Sequence, residues 1–218
     1  MTWGEAHFRR FPWRLTRSPY RILIAETMLH RTQAHQVVPV YRQFVKSYPD
    51  VSTLARSSNK EVGDILYSLG LRWRTRLVCK MAVALEKRFS GQIPREKSEL
   101  LSLPGVSDYI AGAVRCFAWN HPEPLIDTNT VRVTGRLFGL KIKDSSRRNR
   151  QFRELIGALV DPGNPRFYNY SLLDLASEVC TSKRPPDCAR CPVKKYCAYG
   201  INALASQRIR KKNRQSNG

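Results

Sequence analysis

Apolar residues recur at helical spacing along most of this chain. The spacing of 3 and 4 residues is clearest in two segments, at Val62, Ile65, Leu66 and Leu69 and at Val78, Met81, Leu85 and Phe89. Such spacing gathers apolar side chains on one face of a helix, which can then pack against a core. Further helices are predicted over residues 20–30, 37–45, 152–159 and 168–179. No segment alternates apolar and polar residues between hairpin turns, so the sequence predicts an all-α fold.

The segment 103–140 combines several features that suit a binding site. It reads LPGVSDYIAGAVRCFAWNHPEPLIDTNTVRVTGRLFGL and contains two short apolar helices joined by a Pro-Gly turn. Gly105 permits backbone conformations that a side chain would forbid, so backbone amides can approach a ligand closely. Amides at a helix N-terminus suit a phosphate group. Residues 120–124 interrupt the helix, and Asp127 begins the next one.

The charge balance indicates a polyanionic partner. The 218 residues include 38 Lys and Arg against 17 Asp and Glu, a net charge of +21. Nucleic acid is the simplest partner for such a field, and a ribosomal or merely adhesive basic protein is the alternative. No apolar run approaches the ~20 residues of a membrane span, and the N-terminus lacks the apolar core of a signal peptide. We therefore expect an intracellular protein, in the cytoplasm or nucleoid or in a nucleus.

Four of the six cysteines form a cluster near the C-terminus. Cys79 and Cys116 lie on apolar helices and are expected in the core, whereas Cys180, Cys188, Cys191 and Cys197 follow the spacing C-x7-C-x2-C-x5-C. In an intracellular chain such a group is more typical of metal ligands than of disulfides. One Cys-x2-Cys pair rather than two favours a cubane iron-sulfur cluster over zinc, with free thiols as the third possibility.

Two acidic residues are candidates for chemistry. Glu26 lies among apolar residues of the helix predicted over 20–30. A carboxylate there is costly unless it is paired, protonated or catalytic, and the alternative is an acid at the helix rim paired with an Arg. Asp127 stands at a helix N-terminus, which favours the ionised carboxylate, although capping the helix is the usual task of Asp at such a position.

The sequence LPGVSDYIAGAV, followed by LIDTNTVRV, resembles the helix-hairpin-helix DNA glycosylases, the superfamily of endonuclease III and adenine DNA glycosylase. The resemblance extends from about residue 11 to residue 197. The family turn usually reads Leu-Pro-Gly-Val-Gly, and Ser107 replaces the second glycine here. The resemblance implies a six-helix barrel-like module over 21–136. It also implies a helical domain from 1–20 and 137–218, with a four-cysteine [4Fe-4S] loop whose first gap is typically six residues. The basic tail at the end of this domain has no apolar period, so we expect it to be disordered.

The resemblance also implies catalytic roles. Asp127, eighteen residues after Tyr109 and followed by Asn129, matches the catalytic Asp of the family. As the base departs, the sugar acquires oxocarbenium character, which a carboxylate stabilises while it orients a water molecule. Glu26 in AETMLHRTQ matches a Glu that contacts the flipped base in adenine glycosylases.

Two further segments resemble the parts of the family that enter the duplex. The polar break after the first helix contains Arg31, Thr32 and Gln33, and Arg31 stands where a side chain fills the gap left by the flipped nucleotide. An ordinary surface loop is the alternative. After Gly70, Leu71 and Arg72 form an apolar and basic tip in which Leu71 helps to fill that gap, although Trp73 beside them could instead lie in the core. Gly105 and Ser107 of the hairpin complete the predicted DNA contacts.

Tyr109 distinguishes between branches of the family. Bifunctional members carry a Lys at this position, whose amine forms a Schiff base with the sugar, and a phenol cannot do so. Tyr at this site resembles the archaeal-type thymine/uracil mismatch glycosylases. The chain also ends soon after the cysteine loop, without the extra domain of adenine glycosylases. We therefore predict a monomeric, monofunctional glycosylase acting on thymine or uracil opposite guanine in double-stranded DNA. The alternatives are an adenine glycosylase acting opposite 8-oxoguanine or guanine, and a non-enzymatic DNA-binding iron-sulfur protein.

Overall fold

The structure, a computed structural model, describes residues 2–30, 32–70 and 72–203, in which helices alone form the regular secondary structure. The α-helices are α1 (Trp3–Ala6), α2 (Pro19–Leu29), α3 (Ala34–Ser47), α4 (Val51–Ala55), α5 (Asn59–Leu66), α6 (Arg72–Phe89), α7 (Lys97–Leu101), α8 (Asp108–Trp119), α9 (Thr128–Phe138), α10 (Arg150–Ala158) and α11 (Pro165–Glu178). Short 3₁₀ helices cover Pro12–Arg14, Tyr67–Leu69 and Asp144–Arg148. The predicted all-α class is confirmed.

The chain forms two compact units, one from residues 10–123 and one from residues 1–9 and 124–218. The family resemblance implied boundaries after residues 20 and 136. In the structure the boundaries fall after residues 9 and 123, so α9 belongs to the same unit as α10 and α11. The reason is the packing of α9 against α10 and α11. Val131 of α9 lies in an apolar cluster with Phe152 and Ile156, and Val133 lies in a second cluster with Leu175.

Helix α2 is the central element of the unit formed by residues 10–123. Its residues Ile22, Leu23, Ile24 and Ala25 are all at most 1% exposed, and α2 packs against both α3 and α8. Four consecutive buried residues cover every side of a helix, which is the pattern of a helix enclosed in a core. Ser18 caps its N-terminus by accepting a hydrogen bond from Arg21 N, and Pro19 occupies the first turn, where a missing N–H costs nothing.

The predicted helices are present, and their ends are set by local signals. Ser58 and Glu61 form a reciprocal capping box at the start of α5, and Gly70 ends the following 3₁₀ turn with φ of 67°. The lone cysteines expected in the core are buried, Cys116 completely and Cys79 to 9% exposure. Helices α1 and α4 were not predicted, because segments of 4 and 5 residues are too short to show a period. No helix in the described ranges is long and apolar enough to cross a membrane.

An ion pair joins the N-terminal segment to α11 within the unit formed by residues 1–9 and 124–218. The Asp174 side chain is completely buried and accepts hydrogen bonds from Arg9 Nε and from the Arg9 amide. Arg9 also donates to Ser177 Oγ at 3.0 Å. Because a buried carboxylate without its cation is strongly unfavourable, this pair holds the segment 1–9 against the helix.

We predict that Arg9→Met lowers the free energy of unfolding by about 3 kcal/mol, because it removes the Arg9 guanidinium from the buried Asp174 carboxylate. Urea denaturation measures this difference. The matched control is Arg150→Met, which removes a pair with Glu154 whose two side chains are 90% and 62% exposed. That change should cost less than about 1 kcal/mol. Equal losses in the two variants would contradict the account.

Candidate functional site

The predicted hairpin consists of α7 and α8 with a tight turn between them. Gly105 in this turn has φ of 81°, and a Cβ atom at this position would lie 3.1 Å from Cβ of Leu77. Glycine is therefore required by the left-handed backbone conformation and by the close approach of Leu77. The amide of Val106 donates to the carbonyl of Leu103 at 3.2 Å and closes the turn.

Ser107, which stands where the family usually has a second glycine, is the N-cap of α8. Its φ is −90°, and its hydroxyl accepts a hydrogen bond from the amide of Ile110 at 3.3 Å. Serine is among the favoured residues at this position, whereas glycine offers no side-chain acceptor. Asp108 follows as the first helical residue and pairs with Lys97 at 3.2 Å. The replacement thus stabilises the start of the helix that carries Tyr109.

Glu26 and Tyr109 lie on two helices that pack against each other, α2 and α8. Glu26 is only 5% exposed, so it is not an acid at the helix rim. Tyr109 is half-buried in the first turn of α8. Carboxylates are seldom buried on the central helix of a protein core, so Glu26 remains a candidate for a functional residue.

The polar break after α2 runs from His30 to Gln33. His30 ends the helix with φ of −65° and ψ of 113°, and the amide of Thr32 donates to the Leu29 carbonyl at 3.2 Å. Thr32 is half-buried, while Gln33 is exposed and precedes α3 as its N-cap. Arg31 itself lies outside the described residues.

The second predicted duplex-entering segment follows Gly70. Leu71 lies outside the described residues, and of Arg72 only the backbone is described, as the first residue of α6. Trp73 is 60% exposed, which excludes its placement in the core. Of the two alternatives for Trp73, the structure thus favours the exposed one.

Asp127 caps α9 and holds its first turn in a closed network. Its Oδ1 accepts hydrogen bonds from the amides of Asn129 and Thr130 at 2.8 and 2.7 Å, and its Oδ2 accepts one from Asn129 Nδ2 at 2.7 Å. In return the Asp127 amide donates to Thr130 Oγ1 at 3.0 Å. Three N–H donors at a helix N-terminus suit a carboxylate anion, and they fix its orientation while the side chain stays half-buried.

Two arginines on α9 connect this network to the four-cysteine loop. Arg132 donates to Asn129 Oδ1 at 3.1 Å and to the carbonyl of Cys180 at 2.9 Å. Arg136, one turn further along, donates to the carbonyl of Thr181 at 2.8 Å and to Cys180 Sγ at 3.3 Å. Burial lowers the pKa of the Arg132 guanidinium from its ordinary value, and Arg136 beside it lowers that pKa as well. Arg132 remains a cation, so both residues present positive charge to the loop.

All four clustered cysteines line one small pocket, together with Arg136, Lys194 and Tyr199. The Cys197 thiol accepts a hydrogen bond from the amide of Gly200 at 3.3 Å. Burial raises the pKa of the Cys188 and Cys191 thiols, and the neighbouring cysteines raise it further. Within the described part of the chain, no group of three or more His, Cys, Asp or Glu side chains is arranged to hold a metal ion.

Arg132 and Arg136 were missed by sequence reasoning. Their signal was a pair of cations four residues apart, which places both on one face of the helix that follows Asp127. Their partners in the cysteine loop are backbone carbonyls and a thiol more than forty residues away along the chain. No local pattern reveals such contacts.

The comparisons with known proteins agree with this arrangement. No protein-family model matches the chain. The chain is 38% identical to a thymine-DNA glycosylase from Aeropyrum pernix over 195 residues, which cover 88% of this chain and 87% of that protein. It is 42% identical to a thymine/uracil-DNA glycosylase from Pyrobaculum aerophilum over 188 residues, 84% of this chain and 80% of that protein.

The chain belongs to the helix-hairpin-helix DNA glycosylases. The solved structure of a thermostable thymine-DNA glycosylase superposes on this glycosylase with a TM-score of 0.85 at 32% identity, covering 91% of this chain and 92% of the other. The predicted family is thereby confirmed, and so is the expectation that the protein is an enzyme and that DNA is its partner.

We predict that Asp127→Asn retains DNA binding but lowers the single-turnover rate of base excision by about 100-fold or more. The variant removes the negative charge that would stabilise a developing sugar cation, and it keeps the shape of the side chain. Because Asn caps helices as well as Asp does, the thermal midpoint should change little. Asp127→Ala, which also removes the cap, should cost about 1 kcal/mol of stability in addition. A near-parental rate in the Asn variant would show that Asp127 serves only as a helix cap.

Proposed function

We propose that this glycosylase removes thymine or uracil paired with guanine by hydrolysing the N-glycosidic bond, without cleaving the strand. The observation that carries this proposal is Tyr109 in the first turn of α8. The relatives named thymine- or thymine/uracil-DNA glycosylase support it. The phenol has no amine with which to form a Schiff base to the sugar, so the reaction ends with the free base and an abasic site.

In this proposal Asp127 acts on the sugar. Its network leaves Oδ2 with one hydrogen-bond donor and Oδ1 with two, so Oδ2 retains more capacity to accept a proton or orient a water molecule. As the glycosidic bond breaks, the carboxylate stabilises the positive charge that develops at the anomeric carbon. The water that it orients then adds to this carbon, and its proton passes to the carboxylate.

The remaining site residues act on the base and the duplex. Glu26 contacts the flipped base, whose departure it assists by hydrogen bonding or protonation. Arg31 and Leu71 fill the space that the nucleotide leaves, with Thr32, Gln33 and Arg72 beside them on the DNA. Gly105 and Ser107 of the exposed hairpin turn contact a phosphate, and Asn129 holds the Asp127 carboxylate. The net charge of +21 supplies the attraction to DNA that is independent of sequence.

We also propose a [4Fe-4S] cluster bound by Cys180, Cys188, Cys191 and Cys197. The four thiols converge on one cavity, and Arg136 and Lys194 line that cavity with positive charge, which suits a cluster of net negative charge. Zinc sites more often show two Cys-x2-Cys pairs, whereas this loop contains one. When bound, the cluster would cross-link the loop through four iron–thiolate bonds, one to each cysteine.

The proposed substrate is tested by single-turnover assays on three duplexes that differ only at one pair, T:G, U:G and A:8-oxoguanine. We expect excision from T:G and U:G at rates at least tenfold above that from A:8-oxoguanine. A matched T:A duplex is the control and should remain intact. Preferential excision of adenine would replace the proposed substrate by that of the adenine glycosylases.

The absence of lyase activity is tested by Tyr109→Lys. Because the lysine places an amine where bifunctional relatives have one, borohydride should trap the variant covalently on a T:G duplex. The parent and the control Tyr109→Phe should not be trapped. Trapping of the parent would show that another lysine attacks the sugar. A variant that excises but is never trapped would show that residue 109 does not face the sugar.

The cofactor proposal predicts about four irons per chain and a brown colour in the protein purified without oxygen. Cys191→Ala should lose most of the iron, because it removes one of the four ligands. The matched control is Cys79→Ala, whose side chain lies in the core of the other unit and should leave the iron content unchanged. Stoichiometric zinc without iron would overturn the assignment.

A further inference from the structure

One exposed face of α6 carries an indole followed by two cations. Trp73, Arg76 and Lys80 are all exposed and are separated by 3 and 4 residues, which places them on the same side of the helix. The face begins next to the turn at Gly70. Nothing in the catalytic account above uses these three side chains.

The exposure of Trp73 is unusual for this chain. Its side chain is 60% exposed, while Trp13 is 3% exposed and Trp3 and Trp119 are half-buried. Leaving most of an indole in water forgoes a large gain from burial. An exposed indole beside cations is typical of a surface that stacks on nucleobases.

The Trp73 indole is also held in place by a contact with Arg74. The guanidinium carbon of Arg74 lies 4.6 Å from the centroid of the indole ring, within the range of a cation–π contact. Arg74 is 8% exposed, and its Nη1 donates to the carbonyl of Thr27 at 2.5 Å, near the C-terminal end of α2. A cation at a helix C-terminus is favourable, so this contact connects the indole to the central helix of the unit. The indole is therefore a preorganised surface, which loses little conformational freedom when it binds.

We propose that this face of α6 binds DNA, with Trp73 stacked on a nucleobase that has lost its neighbour at the lesion. Arg76 and Lys80 pair with phosphates of the same strand. A base next to an extruded nucleotide exposes one π-face, and an aromatic side chain can cover that face whatever the base is. This proposal rests on the proposed function, because flipping of the target nucleotide is what leaves the adjacent base without a stacking partner.

A purely structural role for Trp73 makes a different prediction. If the indole only shields Arg74 from water, its replacement should weaken binding to every duplex equally through loss of local stability. If it stacks on a base, the effect should be confined to duplexes with an unstacked base. A duplex with a stable abasic analogue opposite guanine provides such a base without any catalysis.

The first measurement is tryptophan fluorescence on binding of this abasic duplex. We expect quenching in the parent, because the most exposed tryptophan stacks on a base. Trp73→Phe should bind with nearly parental affinity, measured by anisotropy of labelled DNA, and should lose most of the quenching. Quenching that is the same in Trp73→Phe and the parent would overturn the proposal.

The second measurement is affinity as a function of salt. Trp73→Leu, which keeps apolar bulk without a π-face, should bind the abasic duplex about tenfold more weakly and the intact matched duplex equally well. The salt slope should not change in this variant, whereas Arg76→Gln and Lys80→Gln should each reduce it by ~0.9. Phe89→Leu is the matched control, because Phe89 lies at the other end of α6 under Arg88 at 5.1 Å. Phe89→Leu should leave both the affinity for the abasic duplex and the salt slope unchanged.

The outcome that contradicts stacking is an equal loss of affinity on abasic and matched duplexes in Trp73→Leu. An unchanged salt slope in both cation variants would contradict the phosphate contacts. Neither measurement requires base excision. If the enzyme failed to excise thymine or uracil, the proposed function would fail while the stacking surface would still be tested on the abasic duplex.

Discussion

The first turn of α9 holds the carboxylate on which the proposed reaction of this glycosylase depends. A helix N-terminus leaves backbone amides without partners, and the Asp127 carboxylate satisfies two of them while Asn129 holds its other oxygen. In the proposed mechanism the same carboxylate stabilises the developing sugar cation. Helix capping and the proposed catalysis therefore need the same chemical group at the same position. This explains how a charged side chain can be held in one orientation without a cost to the fold.

The four-cysteine loop helps to hold the first turn of α9 in position. Arg132 joins Asn129 to the carbonyl of Cys180, and Arg136 contacts the same cysteine through its sulfur. Both guanidiniums are partly buried among carbonyl oxygens, so displacing the loop would leave charged donors without acceptors. A cluster bound to the four thiols would fix the loop, and through these arginines it would fix the orientation of the Asp127 carboxylate.

Much of the fold and part of the site follow from local signals in the sequence. The period of apolar residues located the long helices, the Pro-Gly turn located the hairpin, and Asp127 identified the start of α9. Contacts between distant residues could not be predicted in this way. The ion pair of Arg9 with Asp174 and the bonds of Arg132 to the cysteine loop join residues far apart in sequence. Glu26 is buried and Trp73 is exposed because of the way the helices pack together. The period of apolar residues along the chain does not determine that packing.

We propose that this enzyme hydrolyses one glycosidic bond and leaves the strand otherwise intact. Mass spectrometry of the products formed from a T:G duplex at neutral pH measures this directly. We expect free thymine in an amount equal to that of a full-length strand that has lost the base and gained a hydroxyl at the sugar. A shortened strand bearing an unsaturated aldehyde, or a strand from which adenine rather than thymine is released, would contradict it.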